Sequence, residues 1–383
     1  MNKILIYGCY DSFNLGDDAM MVSIKRYLEK NNKEVFFYTS MNERHNYFEK
    51  NLDKVEYVSY DIYSKYKNII LKKIDLGLKY IKSILFKNTY IEKYESIIFM
   101  GGGYINSLWP NHIKKALYIS LLAKRNKCNL YFTGQTVGPY KNWIDKIKAK
   151  FIYSMGNRVI VREKFSKNLM NELSIKNCIY GVDDFYLYDF IEKNERIINE
   201  KYFILNIKDF FGYEEGIEKC FKLAEELQKI TNYKIILLPF GKGKSHNDYK
   251  ISQKLSDRFK KNNISNSIFD ISDINEIGNL FKNAEFTLGM AYHSIVMSLH
   301  FNTVAIGIYN GEYYNNKILG ILNHYKLDQF CYDFKELYDR DVHEISKEIL
   351  QKVKKSNKTE IKEITENMKK KSNDEWKKIV NGR

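Results

Sequence analysis

Apolar runs of strand length alternate with segments of helical periodicity along most of the chain. The helical segments place apolar residues three and four positions apart, which is the spacing of one helix face. Strands that alternate with helices form parallel sheets, because each helix carries the chain back to the start of the next strand. The pattern therefore predicts an α/β protein. The strand-length runs lie at residues 4–8, 34–39, 97–100, 130–133, 158–161, 177–181, 202–207, 234–239, 267–271, 286–290 and 303–309.

A charged segment near the middle of the chain divides this alternation into two parts. Residues 191–201 have almost no apolar periodicity, so we predict a linker there. The length of 383 residues is natural for two α/β domains. We expect an N-terminal domain at residues 1–190 and a C-terminal domain at residues 202–345. The charged, helical residues 346–383 are predicted to fold back on the first domain.

The first candidate for chemistry is a histidine in a predicted βαβ unit at residues 286–309. His293 follows the first strand of that unit, and Ser294 is placed to cap the helix that comes next. Open α/β sheets bind ligands at this edge, and helix amino termini favour anions. A histidine there can donate a hydrogen bond or transfer a proton, which indicates catalysis. The alternative is that His293 only caps the helix or packs within the turn.

The loop after the first predicted strand ends with four residues of interest, Asn14, Gly16, Asp17 and Asp18, at the start of a predicted helix. The two aspartates suit a helix amino end, as a cap and as partners of the helix dipole. The dinucleotide-binding pattern GxGxxG is absent. Two interpretations stay open, namely a ligand-binding loop at the carboxyl edge of the sheet and a well-capped helix start.

Later strands also end in glycine-rich or charged loops. Glycine lets the backbone approach a ligand closely. Arg162 can hold a carboxylate or phosphate in bidentate fashion, or it can form a surface ion pair with a neighbouring carboxylate. The repetition of these residue types at strand ends points to one functional face at the carboxyl edge. The residues concerned are Gly101, Gly102, Gly103, Gln135, Gly138 and Arg162.

The chain is strongly basic, with a formal net charge of +15, so an acidic partner is expected. Phosphate, a charged glycan, nucleic acid and an anionic membrane all fit this charge. Nucleic acid is not predicted, because the lysines are spread along the chain and no binding motif is present. A loop with Lys242, Lys244 and His246 can hold phosphate, although it lacks the Walker pattern. The alternative for this loop is a flexible, solvated segment.

Residues 62–87 combine a helical apolar stripe with many lysines and a single aspartate. A basic amphipathic helix of this kind can lie on an anionic bilayer. The alternative, which we favour from the sequence, is an ordinary helix with its apolar side in the core and its lysines in solvent. The apolar stripe consists of Ile70, Ile74, Leu78, Ile81 and Leu85.

Cysteine usage and hydropathy indicate a cytoplasmic protein. The five cysteines are scattered, with no CxxC pair and no metal-like cluster, which is typical of free thiols in a reducing compartment. We therefore predict no metal site. No long uncharged apolar stretch is present, so neither a signal peptide nor a membrane-spanning helix is predicted. Residues 62–87 leave a second possibility, namely that the protein attaches to the inner face of the membrane through this segment.

Taken together in their order, these motifs resemble those of the polysaccharide pyruvyl transferase family over roughly residues 1–320. The resemblance implies a GT-B-like fold, in which two Rossmann-like domains with parallel sheets face each other across a cleft. It also implies a transferase of exopolysaccharide biosynthesis, which moves pyruvate from phosphoenolpyruvate onto a sugar as a ketal and releases phosphate. The motifs are Asn14-Leu-Gly-Asp17-Asp18-Ala19, Gly101-Gly-Gly103, Gly134-Gln-Thr-Val-Gly-Pro139, Val161-Arg162-Glu163 with Ser166, Asp183 with Tyr186, Pro239 with Asp248, Gly289-Met-Ala-Tyr-His293, and Tyr309 with Lys317.

The resemblance also implies roles for individual residues. His293 matches the residue placed as acid/base and phosphoenolpyruvate contact, and Arg162 matches an arginine that holds the anionic donor. Asp17 and Asp18 match an acidic pair that acts in catalysis on the acceptor side, which is the N-terminal domain. The acceptor is a glycan or a lipid-linked oligosaccharide, and phosphoenolpyruvate is a co-substrate with no resident cofactor. Further donor contacts are Tyr292, Ser294, Lys317 and His246, and the expected cleft lining is Asn14, Gly16, Gly101, Gly102, Gly103, Gln135 and Gly138.

The chain departs from the family at one donor-binding position. Family members usually carry Arg-Leu-His, or a close variant, where this chain has Ala291-Tyr292-His293. Losing a guanidinium from a carboxylate or phosphate site costs a few kcal/mol unless another cation replaces it. Two other functions therefore stay open: a GT-B glycosyltransferase with a nucleotide-sugar donor, and a non-catalytic basic protein that binds membranes or glycans. Replacement cations in this chain are Lys242, Lys244, His246 or Lys317.

Overall fold

Two parallel β-sheets form the centre of the protein. The computed structural model describes residues 3–10, 13–38, 47–48, 56–58, 74–75, 77–79, 81–82, 85–86, 89–189, 196–208, 214–243 and 247–382. The first sheet has seven strands and the second has six. Every neighbouring pair of strands is parallel, so the predicted α/β class is confirmed.

The first sheet has the strand order β3-β2-β1-β4-β5-β6-β7. Its inner strands are buried on both faces, which explains why they are continuous apolar runs and not alternating patterns. The three-residue strand β3 was not predicted, because so short a segment carries no periodicity. The strands are β1 (Lys3–Tyr7), β2 (Glu34–Tyr38), β3 (Glu56–Val58), β4 (Ser96–Phe99), β5 (Asn129–Gln135), β6 (Arg158–Val161) and β7 (Cys178–Tyr180).

The second sheet has the order β10-β9-β8-β11-β12-β13. Its centre is the pair β11 and β12, which come from the predicted βαβ unit and lie in register with Phe286 opposite Val304. The short edge strand β13 was not predicted, for the same reason as β3. The strands are β8 (Tyr202–Asn206), β9 (Lys234–Leu237), β10 (Asn266–Ile268), β11 (Phe286–Gly289), β12 (Val304–Tyr309) and β13 (Cys331–Asp333).

Helices connect the strands and cover the sheets. Several are capped by a side chain at the residue before the helix, as Asn14 does for the first and Asn357 for the last. The helices are α1 (Leu15–Lys30), α2 (Thr89–Glu92), α3 (Pro110–Arg125), α4 (Trp143–Ser154), α5 (Lys164–Glu172), α6 (Glu214–Thr231), α7 (Asp248–Lys261), α8 (Asn275–Lys282), α9 (Tyr292–His300), α10 (Glu312–His324), α11 (Phe334–Asp339), α12 (Val342–Lys355) and α13 (Lys358–Val380).

The last helix, α13, contacts both sheet systems. Trp376 is buried, and its indole Nε1 donates a hydrogen bond of 3.1 Å to Asp184 Oδ1 in the short 3₁₀ turn after β7. Toward the second sheet, Thr365 Oγ1 donates to the carbonyl of Leu299 at 2.9 Å. The C-terminal helix is thus held at two distant points by buried hydrogen bonds.

A backbone bridge joins the loop before α1 to the loop after β9. Leu15 donates its N–H to Phe240 O at 2.9 Å, and Lys242 donates its N–H to Phe13 O at 3.0 Å. Asn14 and Gly241 form an antiparallel bridge between the same loops. These bonds hold one end of each sheet system together. The predicted linker at residues 191–201 lies partly outside the described residues, and the domain boundaries stay predictions.

Residues 62–87 fall only partly within the described structure. Ile74, Leu78, Ile81 and Leu85 are each more than half exposed, so this part of the stripe faces solvent and the core-facing interpretation is wrong for these four residues. In the part of the chain that the structure describes, no helix is both long and apolar enough to cross a membrane.

We predict that Trp376→Phe destabilises the protein by about 1–3 kcal/mol, because a buried acceptor on Asp184 loses its donor. The midpoint of urea denaturation, followed by circular dichroism, measures the effect. Trp143→Phe is the matched control, since Trp143 is 72% exposed and its substitution should leave the midpoint unchanged. Equal midpoints for the two variants would show that the indole hydrogen bond contributes nothing.

Candidate functional site

A cleft of about 710 Å³ lies between the two sheets, and several of the predicted site residues line it. Loops at the carboxyl ends of both sheets form its walls, as expected for open parallel sheets. From the first sheet system it is lined by Tyr7, Gly8, Cys9, Tyr10, Asn14, Asp17, Tyr38, Gly102, Gly103, Tyr104, Leu108, Trp109, Pro110, Asn111, His112, Lys115 and Arg162. From the second it is lined by Lys208, Phe240, Ala291, Tyr292, His293, Tyr313, Tyr314 and Lys317.

His293 lies in the first turn of α9 and is buried at the cleft wall. Its Nε2 is 3.6 Å from Asp183 Oδ2, beyond hydrogen-bond length, and this buried nitrogen has no hydrogen-bond partner among the described residues. Burial alone would raise the pKa of Asp183, but the charge of Arg162 and the interaction with His293 hold that pKa well below its ordinary value. An ionised Asp183 therefore faces the imidazole ring of His293.

Gly16 allows the imidazole to occupy this position. A Cβ atom at residue 16 would lie 2.1 Å from His293 Nδ1, so no larger residue fits without moving the ring. Asn14 Oδ1 accepts the N–H groups of Gly16 and Asp17 at 3.2 and 3.4 Å, which fixes the start of α1 against the histidine. The sequence motif Asn14-Leu-Gly-Asp17 thus positions the backbone beside His293.

The two neighbouring aspartates of this motif have different surroundings. Asp17 lines the cleft, and burial is the main cause that raises its pKa, against the charges of His293, Lys317 and Arg162. Asp18 is fully buried outside the cleft lining, where its Oδ2 accepts the N–H of Tyr47 at 3.1 Å. We therefore correct the interpretation of the pair: Asp17 stays a catalytic candidate, and Asp18 supports the fold.

Arg162 is a buried, paired cation and not an open clamp. Its Nε donates to Glu163 Oε1 and Thr136 Oγ1, each at 3.0 Å, and its Nη1 donates to Asp183. Only Nη2 has no hydrogen-bond partner among the described residues. The bidentate grip on a donor that we expected is therefore wrong, since two carboxylates already hold the guanidinium.

Lys317 is placed across the cleft by α10. Its Nζ lies 5.2 Å from the ring centroid of Tyr292 and 5.1 Å from that of Tyr313. Burial, followed by the nearby charge of Arg162, lowers the pKa of Lys317 to about 7, although Glu163 and Asp17 act in the opposite direction. This lysine can therefore change its charge near neutral pH.

Tyr292 lies between the two cations. The guanidinium carbon of Arg162 stands 4.1 Å from the centroid of its ring, and Lys317 approaches the same ring. Ala291 precedes it at the cleft wall, where its N–H donates to Asn206 Oδ1 at 2.7 Å. Because residue 291 is an alanine in the cleft lining, the space that a longer side chain would fill belongs to the cleft.

Three other predicted residues point away from the cleft. Ser294 Oγ donates to Ala291 O at 2.7 Å within its own helix turn, so it does not face a ligand. Gln135 is fully buried and its Nε2 donates to the carbonyls of Phe99, Met100 and Thr133 at 3.2, 2.7 and 2.9 Å. The remaining residue, Gly138, packs close to the side chain of Leu169. Their roles are corrected to structural ones.

Only two of the three consecutive glycines line the cleft. Gly102 and Gly103 line the cleft, and Gly103 O accepts the hydroxyl of Tyr313 at 2.9 Å. Gly101 donates its N–H to Asp184 Oδ2 at 2.7 Å, outside the lining. His246 lies outside the described residues, and so does Lys244.

The sequence interpretation missed an aromatic and basic part of the wall. His112 lies in the first turn of α3, and its Nδ1 is 4.0 Å from Cys9 Sγ. Burial, and then the charge of Lys115, lowers the pKa of His112 to about 4, so this imidazole is neutral. Trp109 meets Tyr313 edge to face at 5.6 Å across the cleft. Trp109 could be found from the sequence, because it follows the triple glycine closely. His112 could not, because it belongs to no recognisable motif.

Metal ligands are not grouped in the described part of the chain. No set of three or more His, Cys, Asp or Glu side chains there is arranged to hold a metal ion.

A profile of the polysaccharide pyruvyl transferase family matches residues 14–312. This range includes the loop with Asp17, the triple glycine, Arg162 and the turn with His293. The chain belongs to the polysaccharide pyruvyl transferase family. It is 22% identical over 275 residues to the amylovoran biosynthesis protein AmsJ of Erwinia amylovora. That match covers 66% of this chain and 64% of the relative, so the chain spans just under two thirds of the relative's length.

Solved structures show that this family member has a GT-B-like fold. A UDP-GlcNAc 2-epimerase from Methanocaldococcus jannaschii has a TM-score of 0.58 with 14% identity, and 92% of each chain is covered. UGT89C1 of Arabidopsis thaliana, complexed with UDP-L-rhamnose, has a TM-score of 0.59 with 7% identity over 99% of this chain and 98% of its own. At such identities the likeness concerns the fold alone.

We predict that Gly16→Ala destabilises the protein by about 1–3 kcal/mol, because the added methyl overlaps the ring of His293. The same substitution made together with His293→Ala should cost much less, since the ring is then absent. A double-mutant cycle of urea midpoints measures this coupling. The control is Gly77→Ala, where an added Cβ meets nothing within 4 Å. If the losses of unfolding free energy in the two single variants simply add up in the double variant, Gly16 and His293 do not interact.

Proposed function

We propose that the protein transfers the pyruvyl group of phosphoenolpyruvate, as a ketal, to a sugar of a cell-surface polysaccharide or its lipid-linked precursor. Family membership and the similarity to an amylovoran biosynthesis protein support a transferase of exopolysaccharide biosynthesis. The observation that carries the proposal is the convergence of His293, Asp17 and Lys317 on one cleft between the two sheets.

The reaction requires one proton delivery and two new carbon–oxygen bonds. The methylene carbon of phosphoenolpyruvate takes up a proton, which leaves positive charge on the neighbouring carbon. Two hydroxyls of one sugar add to that carbon, and the bond between the same carbon and the phosphate oxygen breaks. One of the two hydroxyl protons balances the proton taken up, and the other leaves with the phosphate. An acid/base group and fixed charges suffice for these steps.

His293 is the proposed proton shuttle. The carboxylate of Asp183 lies opposite Nε2, where it orients the ring that delivers a proton to the methylene carbon. Asp17, on the same cleft, is the proposed acceptor of a hydroxyl proton from the sugar. Its raised pKa, caused mainly by burial, makes it a better base than an ordinary aspartate.

Lysines of the cleft are the proposed replacement for the arginine absent at Ala291. Lys317, Lys208 and Lys115 line the cleft from both sheet systems. An ammonium group binds a phosphate or carboxylate as a point charge, without the fixed fork of a guanidinium. Arg162 contributes only Nη2, because its other donors are paired with protein groups. We propose that the reaction takes place in the cytoplasm and needs no resident cofactor.

His293→Gln should reduce phosphate release from phosphoenolpyruvate by about 10²–10⁴-fold, the usual contribution of a positioned acid/base group. Glutamine keeps a polar side chain of similar length but cannot carry the proton. A direct phosphate assay with a sugar acceptor measures turnover, and circular dichroism checks the fold. His343→Gln is the control, since His343 is exposed outside the cleft. Unchanged turnover would remove His293 from the mechanism.

Phosphoenolpyruvate affinity should fall as the pH rises through about 7, because Lys317 then loses its charge. The charge is complete below this pKa and absent above it. Thermal-shift titrations at a series of pH values report the affinity, since a ligand that binds the native state raises the melting temperature. Lys317→Arg should bind with no such pH step, and Lys317→Met should bind weakly throughout. A step that persists in both variants would assign the titration to another group.

A GT-B glycosyltransferase with a nucleotide-sugar donor is the second candidate. Ala291 favours it, since the usual donor arginine of the family is absent there, and so does a fold shared with proteins solved with UDP-L-rhamnose. The same thermal-shift assay separates the two functions when phosphoenolpyruvate is compared with a panel of nucleotide sugars. A shift with nucleotide sugars alone would replace the first proposal with this one.

A further inference from the structure

Helix α4 carries apolar side chains on two opposite sides. An ordinary surface helix needs only one apolar stripe, which faces the core. The outer side of α4 nevertheless presents Trp143, Ile147 and Phe151, whose exposed fractions are 72, 55 and 51%. These residues recur at four-residue spacing and form one stripe in solvent, with Ile144 beside it. The inner side, which packs in the core, consists of Ala149, Ile152 and Tyr153.

Lysines surround this outer stripe. Lys146 and Lys150 are exposed on one flank, Lys148 is half-buried on the other, and Lys141 is exposed just before the helix. Asp145 is the only acidic residue of α4, and it lies on the buried side, where Ser107 Oγ and Asn142 Nδ2 donate to it. The exposed side of the helix is therefore apolar at its centre and has lysines at its margins. Of these, Lys146 lies 3.5 Å from Glu172 Oε2 and Lys148 lies 3.5 Å from Asp145 Oδ1, each as an ion pair.

A second exposed apolar stripe lies near the same part of the fold. Ile74, Leu78, Ile81 and Leu85 are each more than half exposed. Arg125, the last residue of α3, donates from Nη2 to the carbonyl of Leu85 at 2.8 Å. Helix α4 also packs against α3, so both stripes belong to helices that contact one common helix.

We propose that the outer face of α4 binds an anionic lipid bilayer, with Trp143, Ile147 and Phe151 inserted into the interface. The combination of a protruding apolar stripe with flanking lysines is that of a helix lying in the plane of a membrane. The net charge of +15 complements a negative surface. This surface differs from the cleft and needs no catalytic residue.

The face is coupled to the cleft through one short loop. Ser107 donates to Asp145 Oδ2 at 2.8 Å and accepts the N–H of Lys141 at 3.0 Å, which joins this loop to the start of α4. Leu108 and Trp109 of the same loop line the cleft. A bilayer bound to α4 would therefore lie beside the cleft mouth. A sugar on a lipid carrier could then enter the cleft without leaving the membrane, a consequence that rests on the proposed function.

The first test is vesicle sedimentation with the full chain. Vesicles of phosphatidylglycerol and phosphatidylcholine are compared with vesicles of phosphatidylcholine alone. The native protein should bind the anionic vesicles, and Ile147→Ser combined with Phe151→Ser should bind them at least about tenfold more weakly, since two inserted side chains are lost. The matched control combines Ile197→Ser with Ile230→Ser, two isoleucines exposed by 42 and 43% elsewhere, and should bind like the native protein.

Tryptophan fluorescence gives a second, independent readout. Anionic vesicles should shift the emission of the native protein to shorter wavelength, because the exposed indole of Trp143 enters an apolar medium. The measurement is made in a Trp109→Phe background, because Trp109 lines the cleft and would add its own signal. The shift should disappear when Trp143→Phe is added, since Trp376 is buried. A shift that persists without Trp143 would contradict insertion of this helix.

Three results would overturn the proposal. The first is the absence of binding to any vesicle, and the second is anionic binding that salt abolishes but the α4 variant leaves unchanged. The third is a change of oligomeric state caused by that variant without any effect on lipid binding, which would assign the face to a protein partner. Transfer to a soluble sugar acceptor is measured separately. Its loss would count against the proposed reaction, and normal transfer without vesicle binding would count against the membrane face alone.

Discussion

Two adjacent buried carboxylates, Asp183 and Asp184, connect the first sheet and the C-terminal helix to the wall of the cleft. Burying a carboxylate is costly unless hydrogen bonds or opposite charges compensate for the lost water. Asp183 meets this requirement through Arg162 and the N–H of Phe185, and it faces His293. Asp184 instead accepts hydrogen bonds from Gly101, Thr133 and Trp376, so it joins two strand ends to the last helix. Asp183 and Asp184 thus connect the first sheet, the C-terminal helix and the turn that carries His293.

The two carboxylates differ in their affinity for a proton. Burial raises the pKa of Asp184 to about 7, helped by the charge of its neighbour, although its hydrogen bonds oppose the shift. Burial acts on Asp183 in the same direction, but the guanidinium of Arg162 outweighs it and keeps that pKa low. Asp183, the member that faces His293, therefore holds its negative charge more firmly than Asp184 does. Arg162 is paired with two carboxylates. Lys317, whose pKa is about 7, changes its charge near neutral pH.

The loop of residues 103–109 relates the cleft to the outer surface. Gly103 accepts a hydrogen bond from Tyr313 of the second sheet system, and Ser107 contacts Asp145 at the start of α4. A displacement of α4 at a membrane would thus reach the cleft wall through a few direct contacts. The same connection places the apolar, lysine-rimmed face of α4 next to a loop that lines the cleft.

The sequence by itself determined the class of the fold and the edge where the chemistry lies. Parallel strands buried on both faces are continuous apolar runs, so they could be located without a structure, and the residues that follow them must gather at one edge of a sheet. His293 and Asp17 were found in this way, whereas Lys317 came from the family resemblance. Only the tertiary structure decided which neighbour faces the cleft, because consecutive helical residues such as Asp17 and Asp18 point about 100° apart. It also decided that Arg162 is already paired, that Gln135 and Ser294 bind backbone, and that α4 turns a second apolar side to solvent, since these depend on contacts between residues far apart in the chain.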